Sequence, residues 1–203
     1  YWPEFAANGK AAITVRHVLT HSSGLHRIRS IVDSGARLHD WEHMTEALAA
    51  AAPAYEPGSR HGYHALTYGW LVGEIVRRVS GSGIAEFVDA EIARPLDCDG
   101  LYIGLPPSER HRVAPLGPLS MPRSNNATIR RMEKNIGKQM GKVVSALPGP
   151  VNTRRLVNAL APRNVEEALL GPGVMDAAIP AANGFFTARS LARMYAMLAG
   201  GGV

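Results

Sequence analysis

The side chains best placed to do chemistry lie in one stretch, Pro57-Gly58-Ser59-Arg60-His61-Gly62-Tyr63-His64-Ala65-Leu66-Thr67-Tyr68-Gly69-Trp70-Leu71-Val72-Gly73-Glu74. A Pro-Gly turn delivers a single tyrosine, Tyr63, to the mouth of a helix. Two readings stand at this point. Either the turn leads into a tightly packed core helix with a buried tyrosine, or the tyrosine is presented for chemistry.

Histidine pairs offer a second chemistry. His17/His21, His39/His43 and His61/His64 are close in sequence, and His17 with His21, four apart on one helix face, has the spacing by which zinc proteases present two ligands. The glutamate that should follow the first histidine is Val18, however, and no third ligand stands out, so packed or surface histidines are the expectation and no metal is assigned. A serine nucleophile on a strand-to-helix elbow needs Gly-x-Ser-x-Gly, which no serine here has. Gly81-Ser82-Gly83 lacks the further glycine and lysine of a phosphate loop. Cys98, the only cysteine, excludes an internal disulfide and a cysteine metal cage.

The elements that must position Tyr63 are mostly helical. Thr14 reads as the cap of a short helix from Val15 to His21, ended by Ser22-Ser23-Gly24-Leu25 with Gly24 in a left-handed turn. Thr45 to Ala52 reads as a helix stopped by Pro53. From Leu66 to Val79 the spacing is helical, with Leu66, Gly69, Trp70, Gly73, Val76 and Val79 on one side and Gly81 as the stop. Two glycines inside a helix cost about 1 kcal/mol each against alanine, so Gly69 and Gly73 imply a close packing partner. Ile84 to Ala93 predicts a further helix, Leu101 to Leu105 a short strand, and Arg112 to Leu116 a second. Arg154 to Ala161 predicts another helix. Thr187 caps a last one, with Leu191, Met194, Tyr195 and Leu198 as its apolar stripe.

Composition bounds the rest. With 203 residues, 46% hydrophobic and 19% charged, the chain is a globular domain or part of one. No apolar run reaches membrane-spanning length. The net charge of +5 belongs to one segment, Arg123 to Lys142, where six basic residues face one acidic residue. There Ile129, Met132, Ile136, Met140 and Val143 recur at helical spacing, and Arg130, Lys134, Lys138 and Lys142 line another face. The competing readings are a solvated basic face and peripheral contact with an anionic surface. Interleaved aromatics are absent, so no nucleic acid is assigned.

Three stretches, in order, resemble the serine β-lactamase and penicillin-binding-protein-like superfamily, in particular its esterase-like branch. They are Ile13-Thr14-Val15-Arg16-His17-Val18-Leu19-Thr20-His21-Ser22-Ser23-Gly24-Leu25, then Pro57 to Tyr63 with Gly69, Leu71, Gly73-Glu74 and Gly81, then Asn183-Gly184-Phe185-Phe186-Thr187-Ala188-Arg189-Ser190-Leu191-Ala192-Arg193. The resemblance implies acyl transfer through a serine of a Ser-x-x-Lys motif, activated by that lysine and by the tyrosine of a Tyr-x-Asn motif. Tyr63 matches that tyrosine and is the implied catalytic base. His64 and Ala65 occupy the following, substrate-binding positions. Ala65 stands where asparagine is usual and offers a substrate no side-chain hydrogen bond, which favours an ester or other acyl substrate over a β-lactam.

No serine has lysine three positions on; Ser22, Ser59 and Ser124 are followed there by Leu25, Gly62 and Ala127. The expectation is therefore an internal fragment, with Ser-x-x-Lys upstream of Tyr1 and the third family motif downstream of Val203. The expected fold class is α+β, mostly helical: the helical lobe of a β-lactamase/transpeptidase-like fold, with few short strands and its central antiparallel sheet largely missing. The domain expectation is one partial β-lactamase-related domain over 1–203, with a variable basic helical insert at about 121–180. The expected function is part of a serine hydrolase acting on a small acyl ester or amide, without a cofactor. The alternative is a non-catalytic binding or scaffold module of the same fold. The compartment is not assigned: the cytoplasm and export by a leader upstream of Tyr1 both stay open.

Overall fold

Thr14 begins the first helix, α1 (Val15–Leu19), with a reciprocal cap. Its hydroxyl accepts from the His17 N–H, and the His17 ring accepts from the Thr14 N–H. The helix is shorter than its spacing predicts. His21 lies beyond it with φ 56°, in the left-handed region, so His17 and His21 do not share a helix face.

The computed structural model describes residues 1–114 and 171–202, together with Pro162, Asn164, Val165 and Leu169. Tyr1–His111 with Asn158–Val203 forms one compact unit and Arg112–Val157 a second; the elements below belong to the first. The basic helix and the helix expected over 154–161 lie outside the described residues.

Helix α2 (Trp41–Ala50) starts four residues before the expected Thr45. Asp40 caps it by accepting from the His43 N–H at 3.0 Å, and Arg37 pairs with the same carboxylate at 2.6 Å. Helix α3 (Thr67–Ser80) ends at Gly81, whose φ of 77° suits glycine. Its buried face carries Gly69, Trp70, Leu71, Gly73 and Glu74. Val79, expected on that face, is instead 61% exposed, because the helix outruns the elements that cover its first two turns.

The two glycines have the close partners their cost implied. A Cβ on Gly69 would lie 2.7 Å from the backbone nitrogen of Ala181, and one on Gly73 would lie 2.5 Å from the Trp41 ring. Trp41 also donates its indole N–H to Glu74 at 2.9 Å. Glu74 is fully buried and accepts further from Arg77 (2.7 and 2.8 Å) and Arg78 (2.7 Å). Burial pushes its acidity the other way, but the bonds from Arg77, Arg78 and Trp41 prevail and hold the carboxyl below its ordinary range. Arg78 continues to Glu4 at 2.9 Å, so one carboxylate ties α3 to α2 and to the amino-terminal segment.

Pro3–Ala6 is a 3-10 turn, and the Lys10 ammonium is buried, donating to the carbonyls of Ala7 (2.7 Å), Ala49 (2.9 Å) and Ala51. All three N–H donors find the backbone, two of them at the carboxyl end of α2, where a cation suits the helix dipole. The core lies between these pieces: Phe5, Val18, Leu25, Ile28, Val32, Leu38, Met44, Leu48, Leu66, Trp70, Leu71 and Ile179.

Helix α4 (Ile84–Val88) continues as a π turn over Asp89–Ala93. Two short strands follow far apart in sequence. β1 (Leu101–Ile103) pairs antiparallel with β2 (Gly184–Phe186), Leu101 opposite Phe186 and Ile103 opposite Gly184. Gly104, with φ 71°, ends β1 two residues before the expected Leu105. Of the second strand expected over 112–116, Arg112 instead closes a 3-10 turn from Pro107, and residues 115–116 lie outside the described residues. β2 is held by buried Asn183, whose side chain accepts from the Ile179 N–H (2.8 Å) and donates to the carbonyls of Val174 (2.7 Å) and Ala177.

The last helix, α5 (Ala188–Ala199), is capped as predicted by Thr187, which accepts from the Ser190 N–H at 3.2 Å. Its apolar stripe does not enter a core: Tyr195 and Leu198 are 64% and 59% exposed. No described helix is long and apolar enough to cross a membrane.

Candidate active site

Residues 20 to 25 and 54 to 64 run beside one another and hold the tyrosine turn by backbone bonds. The Ala54 N–H donates to the Gly24 carbonyl (2.9 Å), Gly58 to Ser22 (2.9 Å) and Gly62 to His21 (3.0 Å). His61 Nδ1 meets the Thr20 carbonyl at 2.9 Å. Gly62 must be glycine for this approach. A Cβ there would lie 2.8 Å from the His26 ring and 3.0 Å from the Tyr55 hydroxyl, nearer than packed carbon atoms come.

The next three residues point in different directions. Tyr63 is 66% exposed, which removes the buried core tyrosine as a reading. His64 is 1% exposed. Ala65 is half-buried, just ahead of α3. The expected pairing of His64 with Ala65 as substrate contacts therefore splits: the imidazole faces inward and both its nitrogens are taken by protein groups.

Those partners fix its proton. The Leu25 N–H can only donate, and it meets Nε2 at 3.2 Å. Nε2 is therefore an acceptor, the proton sits on Nδ1, and Nδ1–H donates to the Gly62 carbonyl at 2.5 Å. The Ser23 hydroxyl then donates to Nε2 at 2.8 Å. Burial pushes the His64 imidazole down to about 4; the Gly62 carbonyl works against this, and the nearby His21 and His26 rings add to it. His64 is neutral in neutral solution.

Ser23 and His64 thus form a serine–histidine hydrogen bond of the length used in nucleophilic catalysis, but Ser23 is fully buried and no substrate carbonyl can reach its oxygen. The pair is a staple between two segments.

His21 completes the cluster from outside. Its Nδ1 accepts from the His64 backbone N–H at 3.3 Å, and its ring lies 5.3 Å from that of Tyr63 and 4.8 Å from that of Tyr68. Its left-handed backbone is uncommon for a residue with a side chain. Ser23 does not stand out in the sequence, and His21 does so only as half of a histidine pair with His17, not as part of this site. The one available signal is that both lie in the first of the three resembling stretches.

The remaining histidines do not assemble a metal site. His39 precedes α2 and its cap, so it does not share that helix with His43, and His61 turns to a backbone carbonyl. Among the described residues no three His, Cys, Asp or Glu side chains converge to hold an ion. A cleft of about 190 Å³ between Trp2, Phe5, Lys10, Val15, Leu71 and Ile75 includes neither Tyr63 nor Ala65.

The family model described as Beta-lactamase matches residues 1–203. The chain belongs to the Beta-lactamase family. It is 40% identical over its whole length to an esterase/beta-lactamase, LipL, of Mycobacterium tuberculosis (strain ATCC 25618 / H37Rv), and covers 44% of that protein. Two crystal structures superpose on it. One is a penicillin-binding-protein homologue from Caulobacter crescentus (TM-score 0.70, 36% identity), matched over 100% of this chain and 47% of that one. The other is a family VIII carboxylesterase (TM-score 0.71, 32% identity), matched over 99% and 47%. The chain spans about half the length of these relatives. These likenesses put it in the serine β-lactamase and penicillin-binding-protein-like superfamily, among esterase-named relatives.

Proposed function

We propose that this chain contributes the proton-transfer tyrosine of a serine hydrolase that cleaves small acyl esters or amides through an acyl-serine. The observation that carries this is the presentation of Tyr63: exposed, at the mouth of α3, on a turn fixed by His21, His64 and Gly62. A phenol ordinarily titrates near about 10 and acts as a base at neutral pH only beside a cation that stabilises the phenolate. In this reading the lysine of a Ser-x-x-Lys motif supplies that cation, and its serine is the nucleophile. Tyr63 takes the serine proton as the acyl bond forms and returns a proton to the leaving group. No cofactor enters the scheme.

Ester substrates are favoured over β-lactams because Ala65 has no side-chain amide to bind a lactam, and because the relatives include esterases by name. The domain reading is one partial β-lactamase-related domain whose variable basic insert lies at about 121–180. The exposure of the apolar side chains Phe186, Tyr195 and Leu198 supports the view that further sheet covers them in a longer protein. The proposed peripheral contact with an anionic surface belongs to Arg130, Lys134, Lys138 and Lys142.

A second reading, a non-catalytic binding or scaffold module, is motivated by Ala65 and by the lack of any serine followed three positions later by lysine. Labelling with a fluorophosphonate separates the two. The 203-residue chain alone should take up no label, and a full-length version carrying Ser-x-x-Lys should be labelled on that serine. A labelled serine within residues 1–203 would overturn the assignment, and an unlabelled full-length protein would favour the module.

A further inference from the structure

We propose that His64 is a positioning residue for Tyr63, acting as an uncharged clamp that ties the turn before α3 to the loop after α1. This rests on the reading of Tyr63 as the proton-transfer group.

Three observations carry it. His64 adjoins Tyr63 in sequence but points the other way, into the protein, so it bears on the tyrosine through the backbone rather than through a substrate. Its ring spans the two segments. Nδ1–H holds the Gly62 carbonyl, one residue before Tyr63, while Nε2 holds the Leu25 N–H and the Ser23 hydroxyl. Finally, the peptide between Tyr63 and His64 is gripped again from the far side, where the His64 N–H donates to His21 Nδ1. The carbonyl of Gly62 and the N–H of His64 are thus both fixed, and Tyr63 sits between them. Two fixed flanking peptides leave the Tyr63 Cα little freedom, so the phenol is aimed by the clamp and moves within its own side-chain rotamers.

Only a histidine with one donor and one acceptor nitrogen makes all these bonds at once. The groups facing it are the Ser23 hydroxyl, the Leu25 amide, the Gly62 carbonyl and the rings of His21 (5.5 Å) and His26 (5.9 Å); no carboxylate is among them. A charged ring would therefore lose its acceptor and gain no counter-ion. Proton transfer is sensitive to placement, and an error of about 1 Å can cost on the order of a hundredfold in rate.

A double-mutant cycle in the full-length protein tests this. The kcat and KM for a small acyl ester are measured for wild type, Tyr63→Phe, His64→Ala, His64→Gln and the combinations of each His64 variant with Tyr63→Phe. Loss of the clamp should lower kcat by about ten- to a hundredfold with far less change in KM. His64→Gln keeps an acceptor toward Leu25 and Ser23 and should recover part of the loss. Added to Tyr63→Phe, either His64 substitution should cost little more, because a residue that acts through Tyr63 has nothing left to position. An equal fractional loss in both backgrounds would mean a general structural role and overturn the proposal, as would full turnover in both His64 variants. Should the alanine variant not fold, the glutamine pair completes the cycle. Full turnover in Tyr63→Phe itself would instead remove the catalytic reading, and the clamp with it.

Discussion

At the scale of single residues, the site is a contrast between neighbours: Tyr63 in solvent, His64 in the core. Burial makes the histidine acid-sensitive. Its folded pKa of about 4 lies below the ordinary 6.5, so between those values the unfolded chain binds a proton that the folded chain does not. Stability from this residue is full above pH 6.5 and is lost as pH falls toward 4, by about 3 kcal/mol in all. Urea unfolding of wild type and His64→Gln across pH 4 to 7.5 measures it. The gap between the two should shrink as pH falls, and parallel profiles would contradict it. The place of Tyr63 at the mouth of a helix was legible, since a tyrosine after Pro-Gly needs only local sequence to be seen, but its exposure was not, because a buried core tyrosine fitted the same pattern. The inward turn of His64 was not, because it depends on Ser23 and Leu25, some forty positions away.

At the scale of elements, α3 is the part on which the site stands, and its packing makes two predictions. Gly69→Ala gains about 1 kcal/mol of helix propensity but drives a methyl group to 2.7 Å from the Ala181 backbone, and overpacking costs typically about 1–3 kcal/mol. Backbone cannot yield as a side chain can, so the net effect should be a lower melting temperature; an unchanged or higher one would mean that the 180–181 turn is not packed as described. Glu74→Ala leaves the Trp41 indole N–H without its acceptor and two partly exposed guanidinium groups without their carboxylate, and should cost about 1.5–3 kcal/mol, measured by chemical denaturation. A cost under about 1 kcal/mol, the range of exposed pairs, would refute the buried network. The caps at Thr14 and Thr187 and the stop at Gly81 were readable because each is a contact within a few residues. The early start of α2 was missed because its cap, Asp40, lies in a stretch of mixed polarity. β2 was missed because three residues, Gly184-Phe185-Phe186, form a strand only by pairing with β1, more than eighty positions earlier. Lys10 was missed because lysine is seldom buried, and its carbonyl partners at Ala49 and Ala51 are distant in sequence.

At the scale of the whole molecule, the order of three signature stretches pointed to the superfamily, and the family match over residues 1–203 with 40% identity to an esterase/beta-lactamase bears that out. The mostly helical character with few strands was legible too. The contents of the core around α5 were not: a periodic stripe says which residues share a face but not whether anything covers it, and Tyr195 and Leu198 face solvent. The 203-residue chain on its own should therefore bind an apolar fluorescent dye and be poorly soluble; a cooperative thermal transition with low dye binding would contradict this. The central claim concerns the exposed tyrosine, and the most direct measurement is ester turnover by the full-length protein with Tyr63→Phe. Removing the phenol hydroxyl should lower kcat by about a hundredfold or more, and turnover equal to wild type would show that Tyr63 is not the proton-transfer group.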